Sequence, residues 1–411
     1  MYPATTAVRP GRRVARGQVP FWLMTFVLAA AMLGTTLPTP LYVIYQAEWH
    51  FSSTTVTVIY AVYAVGVLAA LLLAGRSSDQ TGRRPVLAVA LGLSAVSTVM
   101  IILAGDVAAL GVGRVLSGLS AGLMTGTATA ALTELWTTGR RASLAATAAN
   151  MGGLGLGPLV AGLFAQYAPH PTTLVFEVYL GVLAVAALSL AMVPETVSPR
   201  RRPALRFAGL GLPERGRSEF LAAMAAGFSA FSLLGLFSAL APTFLGSIMH
   251  VSSHAVAGAV VFAMFAAGTV TQLAAFRLPA RQVVLAGLGL FLVALALIVA
   301  SLKAANVAVF LTGTLVGGVA VGAVFLGSLA TANRLAPPDR RAQAISAYFV
   351  ASYCGLIIPV VGVGVLAHFT GYFTAVLALS ILLAVLCIFA LASMARTVSS
   401  DRAASRLPAA V

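Results

Sequence analysis

An all-α membrane protein of twelve transmembrane helices, built as two pseudo-symmetric six-helix bundles, is the fold class this sequence predicts. Three observations predict it: a composition that only lipid dissolves, basic residues confined to alternate loops, and a repeat that relates the two halves. Of the 411 residues, 60% are hydrophobic and 9% charged, with a mean hydropathy of +0.99. A water-soluble domain keeps about a quarter of its residues charged, so the bilayer is the solvent of this chain.

A membrane-crossing helix needs about 20 consecutive apolar residues. Such windows fall near 20–45, 54–75, 85–104, 107–132, 142–166, 172–193, 219–244, 254–276, 282–302, 306–331, 342–366 and 370–394. The first follows Arg9, Arg12, Arg13 and Arg16, as a secretory leader would, but it is long enough to span and carries Pro38 and Pro40. It is expected to be retained. The expected organisation is a cytoplasmic tail (1–19), a first bundle (20–196), a cytoplasmic linker rich in Arg and Pro (197–218), a second bundle (219–394) and a second tail (395–411). Trp22, Trp49 and Trp136 fall near span ends, where tryptophan anchors at the interface.

With the N-terminus inside, 23 of the 25 Lys and Arg residues fall on the cytoplasmic side. Lys303, in an outer loop, and Arg114, within a span, are the exceptions. This one-sided split follows the positive-inside rule. It assigns the net charge of +15 to anionic lipid headgroups and not to nucleic acid. All five histidines lie in or beside outer loops, as a pH sensor or as tolerated polar residues. Cys354 and Cys387 have no metal or disulfide spacing, so they are expected to pack, and no metal site is expected. The single lysine suits a GC-rich bacterial genome, hence a bacterial plasma membrane with both termini cytoplasmic.

The halves repeat at an offset of 200. Gly113, Gly118, Gly122, Ala130, Leu135, Arg140, Arg141 and Ala142 recur as Gly313, Gly318, Gly322, Ala330, Leu335, Arg340, Arg341 and Ala342. A shared register through span four and span ten, with their loops, marks a duplicated bundle. The repeat breaks at two ionisable positions: Arg114 faces Thr314, and Glu134 faces Arg334.

Three segments carry more than packing. The turn between spans two and three holds Gly75, Asp79, Gly82, Arg83 and Arg84. Arg114 lies about 10 Å into span four at ~1.5 Å per residue, where a charge costs about 2.5–3.5 kcal/mol on insertion scales. Either a polar cavity, a partner acid or a bound anion offsets that cost, or the side chain snorkels to the outer headgroups. Gly118 and Gly122 follow it as a small-residue stripe for close helix approach. Span five holds Gly152, Gly153, Gly155, Gly157, Pro158 and Gly162, a smooth face with a missing amide donor.

In order, these segments resemble the loop, fourth-helix and fifth-helix signatures of the major facilitator superfamily. They are most similar to its bacterial drug:proton antiporters, although Ala161-Gly162 stands where two glycines are commoner. The resemblance implies a cytoplasmic gate of Gly75, Asp79, Gly82, Arg83, Arg84 and Glu134, with Asp79 latching the start of span eleven. It implies that Arg114 takes part in proton coupling and that Gly118, Gly122, Gly153, Gly157, Pro158 and Gly162 form the packing and flexing motif. It also places spans one, four, seven and ten around a central cavity, with spans two, five, eight and eleven beside them, which makes Thr35, Tyr42, Met124, Phe228, Phe231 and Tyr348 candidate cavity-lining residues. Glu177, in span six, is a candidate proton carrier or a residue that snorkels outward. Span one holds no acid, unlike many such antiporters.

The expected function is a secondary active transporter. It would export small, largely apolar or amphipathic compounds by alternating access, driven by the proton gradient and without a bound cofactor. A sugar or other metabolite transporter, including an uncoupled facilitator, is the alternative. A receptor would carry a long soluble domain and an enzyme a paired catalytic set, so neither class is expected. The expected partners are a small-molecule substrate and the lipid bilayer, with no nucleic acid, and the expected state is a monomer.

Overall fold

The computed structural model describes residues 17–74, 77–136, 139–197, 209–338 and 340–404, without side chains for 74, 139 and 396–404. Gly75 and most of the expected linker lie outside the described residues. Twelve helical spans among the described residues are long and apolar enough to cross a membrane.

The first half runs α1 (Gln18–Thr36), a 3₁₀ turn (Thr39–Leu41), α2 (Tyr42–Trp49), α3 (Ser53–Ala74), α4 (Ser77–Thr81), α5 (Arg83–Ile102), α6 (Val107–Leu135), α7 (Gly139–Tyr167) and α8 (Pro171–Met192). The second half runs α9 (Arg217–Ser247), α10 (His254–Ala275), α11 (Ala280–Ala304), α12 (Val307–Leu335), α13 (Arg341–Thr370) and α14 (Tyr372–Ala404). The expected windows match these spans, with two differences. The first span is broken into α1, the turn and α2. The helix of the last span continues past residue 394 to Ala404.

The duplication is visible in the packing. In the first half α6 lies against α3 and α5, and in the second α12 lies against α10 and α11. The repeated glycines make equivalent approaches. A Cβ on Gly118 would stand 2.0 Å from the Tyr63 carbonyl oxygen, and one on Gly318 would stand 2.4 Å from that of Met264. Gly122 meets Val67 and Ala70, and Gly322 meets Gly268. Helix starts repeat too: Asp106 accepts from the Ala109 amide at 2.8 Å, and Asn306 from the Val309 amide at 3.1 Å.

Prolines set the breaks, and hydroxyls on neighbouring helices answer them. Proline has no amide to donate to the carbonyl four residues back. Pro158 leaves the Leu154 carbonyl without its helical donor, and the Thr36 hydroxyl reaches it from α1 at 2.7 Å. Pro359 leaves the Gly355 carbonyl in the same state, and the Ser232 hydroxyl reaches it from α9 at 3.0 Å. Pro40 does the same to the Thr36 carbonyl, which accepts from the Thr39 hydroxyl at 2.7 Å. These three breaks stay helical or nearly so because each of these freed acceptors finds a donor.

The two halves meet along α7–α10 and α3–α13. At α7–α10 the backbones nearly touch: a Cβ on Gly258 would stand 2.2 Å from the Pro158 carbonyl oxygen, and one on Gly162 2.5 Å from that of His254. Thr54 donates to the Gly364 carbonyl at 3.0 Å, and the His254 amide to Gln166 at 3.0 Å, across the seam between the halves. Both lie at the helix ends opposite those that carry Arg83, Arg84, Arg140, Arg141, Arg334, Arg340 and Arg341, so these ties between the halves stand opposite the basic face.

Candidate functional site

Arg114 is the largest fully buried side chain of the described residues, with no exposed surface. It therefore does not snorkel. Its Nη1 donates to the Thr35 carbonyl at 2.7 Å, beside the break in the first span. The guanidinium carbon lies 4.6 Å from the centre of the Tyr63 ring, within cation–π distance. Tyr42 and Tyr60 lie within its electrostatic reach. Arg114 Nε and Nη2 and the Tyr42 hydroxyl are buried without a hydrogen-bond partner. Ser238 belongs to α9 and faces Tyr60, so the polar cluster reaches the second half.

From there an aromatic path continues. Tyr353 on α13 lies close to Tyr60 and Tyr63. Its ring sits 5.2 Å from that of Phe231, edge to face, and Phe231 sits 5.6 Å from Phe325. Thr35 and Tyr42 are buried in the Arg114 cluster, and Met124 is buried farther along α6, where the neighbouring Thr125 hydroxyl lies 3.7 Å from Met32 Sδ. Phe228 is half-buried, its carbonyl 2.3 Å from a Cβ on Gly355. Tyr348 is placed elsewhere: its hydroxyl pairs with Ser328 at 2.8 Å, and its ring packs in a separate cluster with Phe220, Ala332 and Ala344. It closes the interior of the second half because α12 and α13 turn it inward. Glu177 is exposed on α8, whose buried face carries Phe176 and Tyr179. It does not join the Arg114 cluster.

The glycines of α7 divide between two partners. Gly153 and Gly157 admit α1, with hypothetical Cβ atoms 2.5 Å from the Ala29 carbonyl and 2.3 Å from the Thr36 hydroxyl. Gly155 and Gly162 admit Phe265 and Gly258 of α10. One helix thus touches its own bundle on one face and the opposite bundle on the other.

On the basic face Arg83, 8% exposed, starts α5. It grips Glu134 side-on, Nη2 to Oε1 at 2.8 Å and Nε to Oε2 at 3.3 Å. Its Nη1 meets Asp79 at 2.6 Å and Ser78 at 2.6 Å. Glu134 also accepts from Thr196. Asp79 is 59% exposed and takes this partner, and α13 begins without a side-chain cap. The expected latch between Asp79 and span eleven is therefore not formed in this structure.

Glu195 is the residue that sequence reasoning missed. From the end of α8 its carboxylate accepts the backbone amides of Arg83 at 2.8 Å and Arg84 at 2.9 Å, which caps α5. Gly82, at φ +106°, makes room for it, since a Cβ there would stand 2.7 Å from Glu195 Oε2. Arg84 reaches back to the Ala191 carbonyl at 3.0 Å. Tyr60 and Tyr63 were also missed, because a uniformly apolar span offers no polar face against which to orient two tyrosines.

The described residues form a duplicated twelve-helix bundle with a buried polar cluster beside the seam between its halves. A family model described as Major Facilitator Superfamily matches residues 24–278, and the chain belongs to that family. A triacylglyceride transporter of Mycolicibacterium hassiacum is 32% identical over 152 residues, 36% of this chain and 28% of that protein. A second, of Mycobacteroides abscessus, is 30% identical over 156 residues, 36% of this chain and 29% of that protein. In both cases the match spans less than a third of the relative's length. The nucleoside transporter NupG, as a D323A mutant, superposes with a TM-score of 0.71 at 12% identity, over 92% of this chain and 100% of that one. The human organic anion transporter MFSD10 gives 0.68 at 18% identity, over 93% and 100%. At these identities the likeness is one of fold.

Proposed function

We propose that the chain exports small, largely apolar or amphipathic compounds by alternating access, with the proton gradient as the driving force. The observation that carries this reading is the buried Arg114 cluster, set where the halves meet and continued by the aromatic path through Tyr353 and Phe231. A site with few polar groups and soft aromatic walls accepts varied apolar ligands. The names of the mycobacterial relatives, triacylglyceride transporters, support an apolar cargo. In this reading Arg114 responds to protonation. Gly157 and Pro158 let α7 flex between α1 and α10. Gly75, Asp79, Gly82, Arg83, Arg84 and Glu134 gate the basic face, and the latch to α13 forms when that face closes. The protein works as a monomer in a bacterial plasma membrane, with its basic face in the cytoplasm.

The test is efflux from energised bacterial cells stripped of their own pumps. The cells are loaded with the neutral dye Nile red or with anionic 8-anilino-1-naphthalenesulfonate. Efflux above the empty-vector control that stops on adding a protonophore is the expected result. Efflux indifferent to the protonophore selects an uncoupled facilitator. No efflux of either dye, despite verified membrane expression, removes the export of amphipaths.

A further inference from the structure

Resting on the transporter reading, we propose that Arg114 binds the oxyanion of an anionic amphipathic substrate, a carboxylate or phosphate joined to an apolar body. A guanidinium carries five N–H donors. The Thr35 carbonyl takes one through Nη1, while Nε and Nη2 are buried and unpartnered. Those two nitrogens form one edge of the guanidinium fork, the edge that receives a carboxylate in two parallel bonds. The same molecule shows what that edge accepts: at Arg83, Nε and Nη2 hold the two oxygens of Glu134. At Arg114 the edge is presented with no acid on it.

No acid among the described residues can fill that role. Asp79, Glu134, Glu195 and Glu219 are engaged on the basic face. Glu48 lies beyond Tyr45 and is exposed, and Asp106, Glu177 and Glu214 are exposed as well. The groups around the guanidinium are tyrosines, and the Tyr42 hydroxyl is a further buried group without a partner. An uncompensated buried cation is costly, and a substrate anion compensates it for as long as it is bound. The aromatic path across the interface then takes the apolar body.

The test is ligand-induced thermal stabilisation of the purified full chain in lipid nanodiscs. The probes share one skeleton: 2-naphthoate, 2-naphthylmethanol and 2-naphthylmethylammonium, with inorganic phosphate as a bare oxyanion. The expected result is that naphthoate binds about tenfold or more tightly than the alcohol, the margin a charge-assisted fork supplies. Arg114→Gln should bring the two within about twofold, and Arg114→Lys should keep part of the preference. Tyr42→Phe removes one hydroxyl, leaves the charge in place and should weaken naphthoate several-fold, so it keeps the test open if Arg114→Gln does not fold. Equal binding of the three naphthyl probes, or preference for the ammonium, overturns the proposal and leaves an amphipath transporter standing. Phosphate binding as tightly as naphthoate overturns the amphipathic class. Binding of none of the probes removes both this inference and the reading beneath it.

Discussion

At position 114 the first half buries a guanidinium between helices, while at the equivalent position 314 the second half buries a threonine whose hydroxyl bonds to its own helix at the Phe310 carbonyl, 2.8 Å away. At 134 the first half has a glutamate held by Arg83, and at 334 the second has an arginine paired with Glu219 of α9. Around these positions the backbone contacts are duplicated nearly residue for residue, down to the hydroxyl that answers each proline. The packing therefore belongs to the shared fold. The charged side chains at these two positions are where the halves differ.

The comparison breaks most sharply at its centre. Arg114→Ala should lower efflux by about tenfold or more, whereas Thr314→Ala, which loses only a bond to its own helix, should stay within about twofold. Equal losses in the efflux assay would show that the charge asymmetry has no functional content. Next come the close approaches between the halves. Gly258→Leu should destabilise by about 1–3 kcal/mol through overpacking against Pro158 and also slow transport. Gly152→Ala, which meets nothing within 4 Å, should do neither. Melting curves of the purified variants separate the two, and a silent Gly258→Leu would refute the close contact.

The basic face sharpens the comparison further. Arg83, 10% exposed at its side chain, should lose about 1–3 kcal/mol on truncation to Ala because its bonds go to charged, partly buried groups. Arg334, 62% exposed, should lose about 0–1 kcal/mol. Double-mutant cycles with Glu134→Gln and Glu219→Gln measure both, and a stronger pair at Arg334 would reverse the order argued here. The smallest effects should be the most alike. Thr36→Val and Ser232→Ala each strip the donor from a proline-freed carbonyl and should cost about 1 kcal/mol apiece. A large difference between them would mean that the two proline breaks are not equivalent.

Much of this was legible in the sequence. The spans, the side carrying the basic residues and the glycine positions follow from hydropathy, charge and residue size summed locally along the chain. The register of 200 already paired Gly118 with Gly318 and Gly122 with Gly322. Arg114 stood out because it was a cation inside an apolar run. Less legible were the side chains that act at a distance. Glu195 caps a helix more than a hundred residues away, and nothing near it in the sequence marks that role. Tyr348 looked like a cavity residue but faces the interior of its own half, because hydropathy fixes depth along the membrane normal and not rotation about the helix axis.

By itself, then, the sequence determined how many helices cross, which side is basic, where the backbone can approach closely and which charge lies within a span. Those properties depend on transfer from water to lipid, which each segment undergoes largely on its own terms. Only the tertiary structure decided that Arg114 has no acid beside it, that Asp79 turns to Arg83 and not to α13, and that the two faces of α7 serve different bundles. Those outcomes depend on the azimuth of each helix and on which distant helix lies against it. Both are set by packing among all twelve spans together.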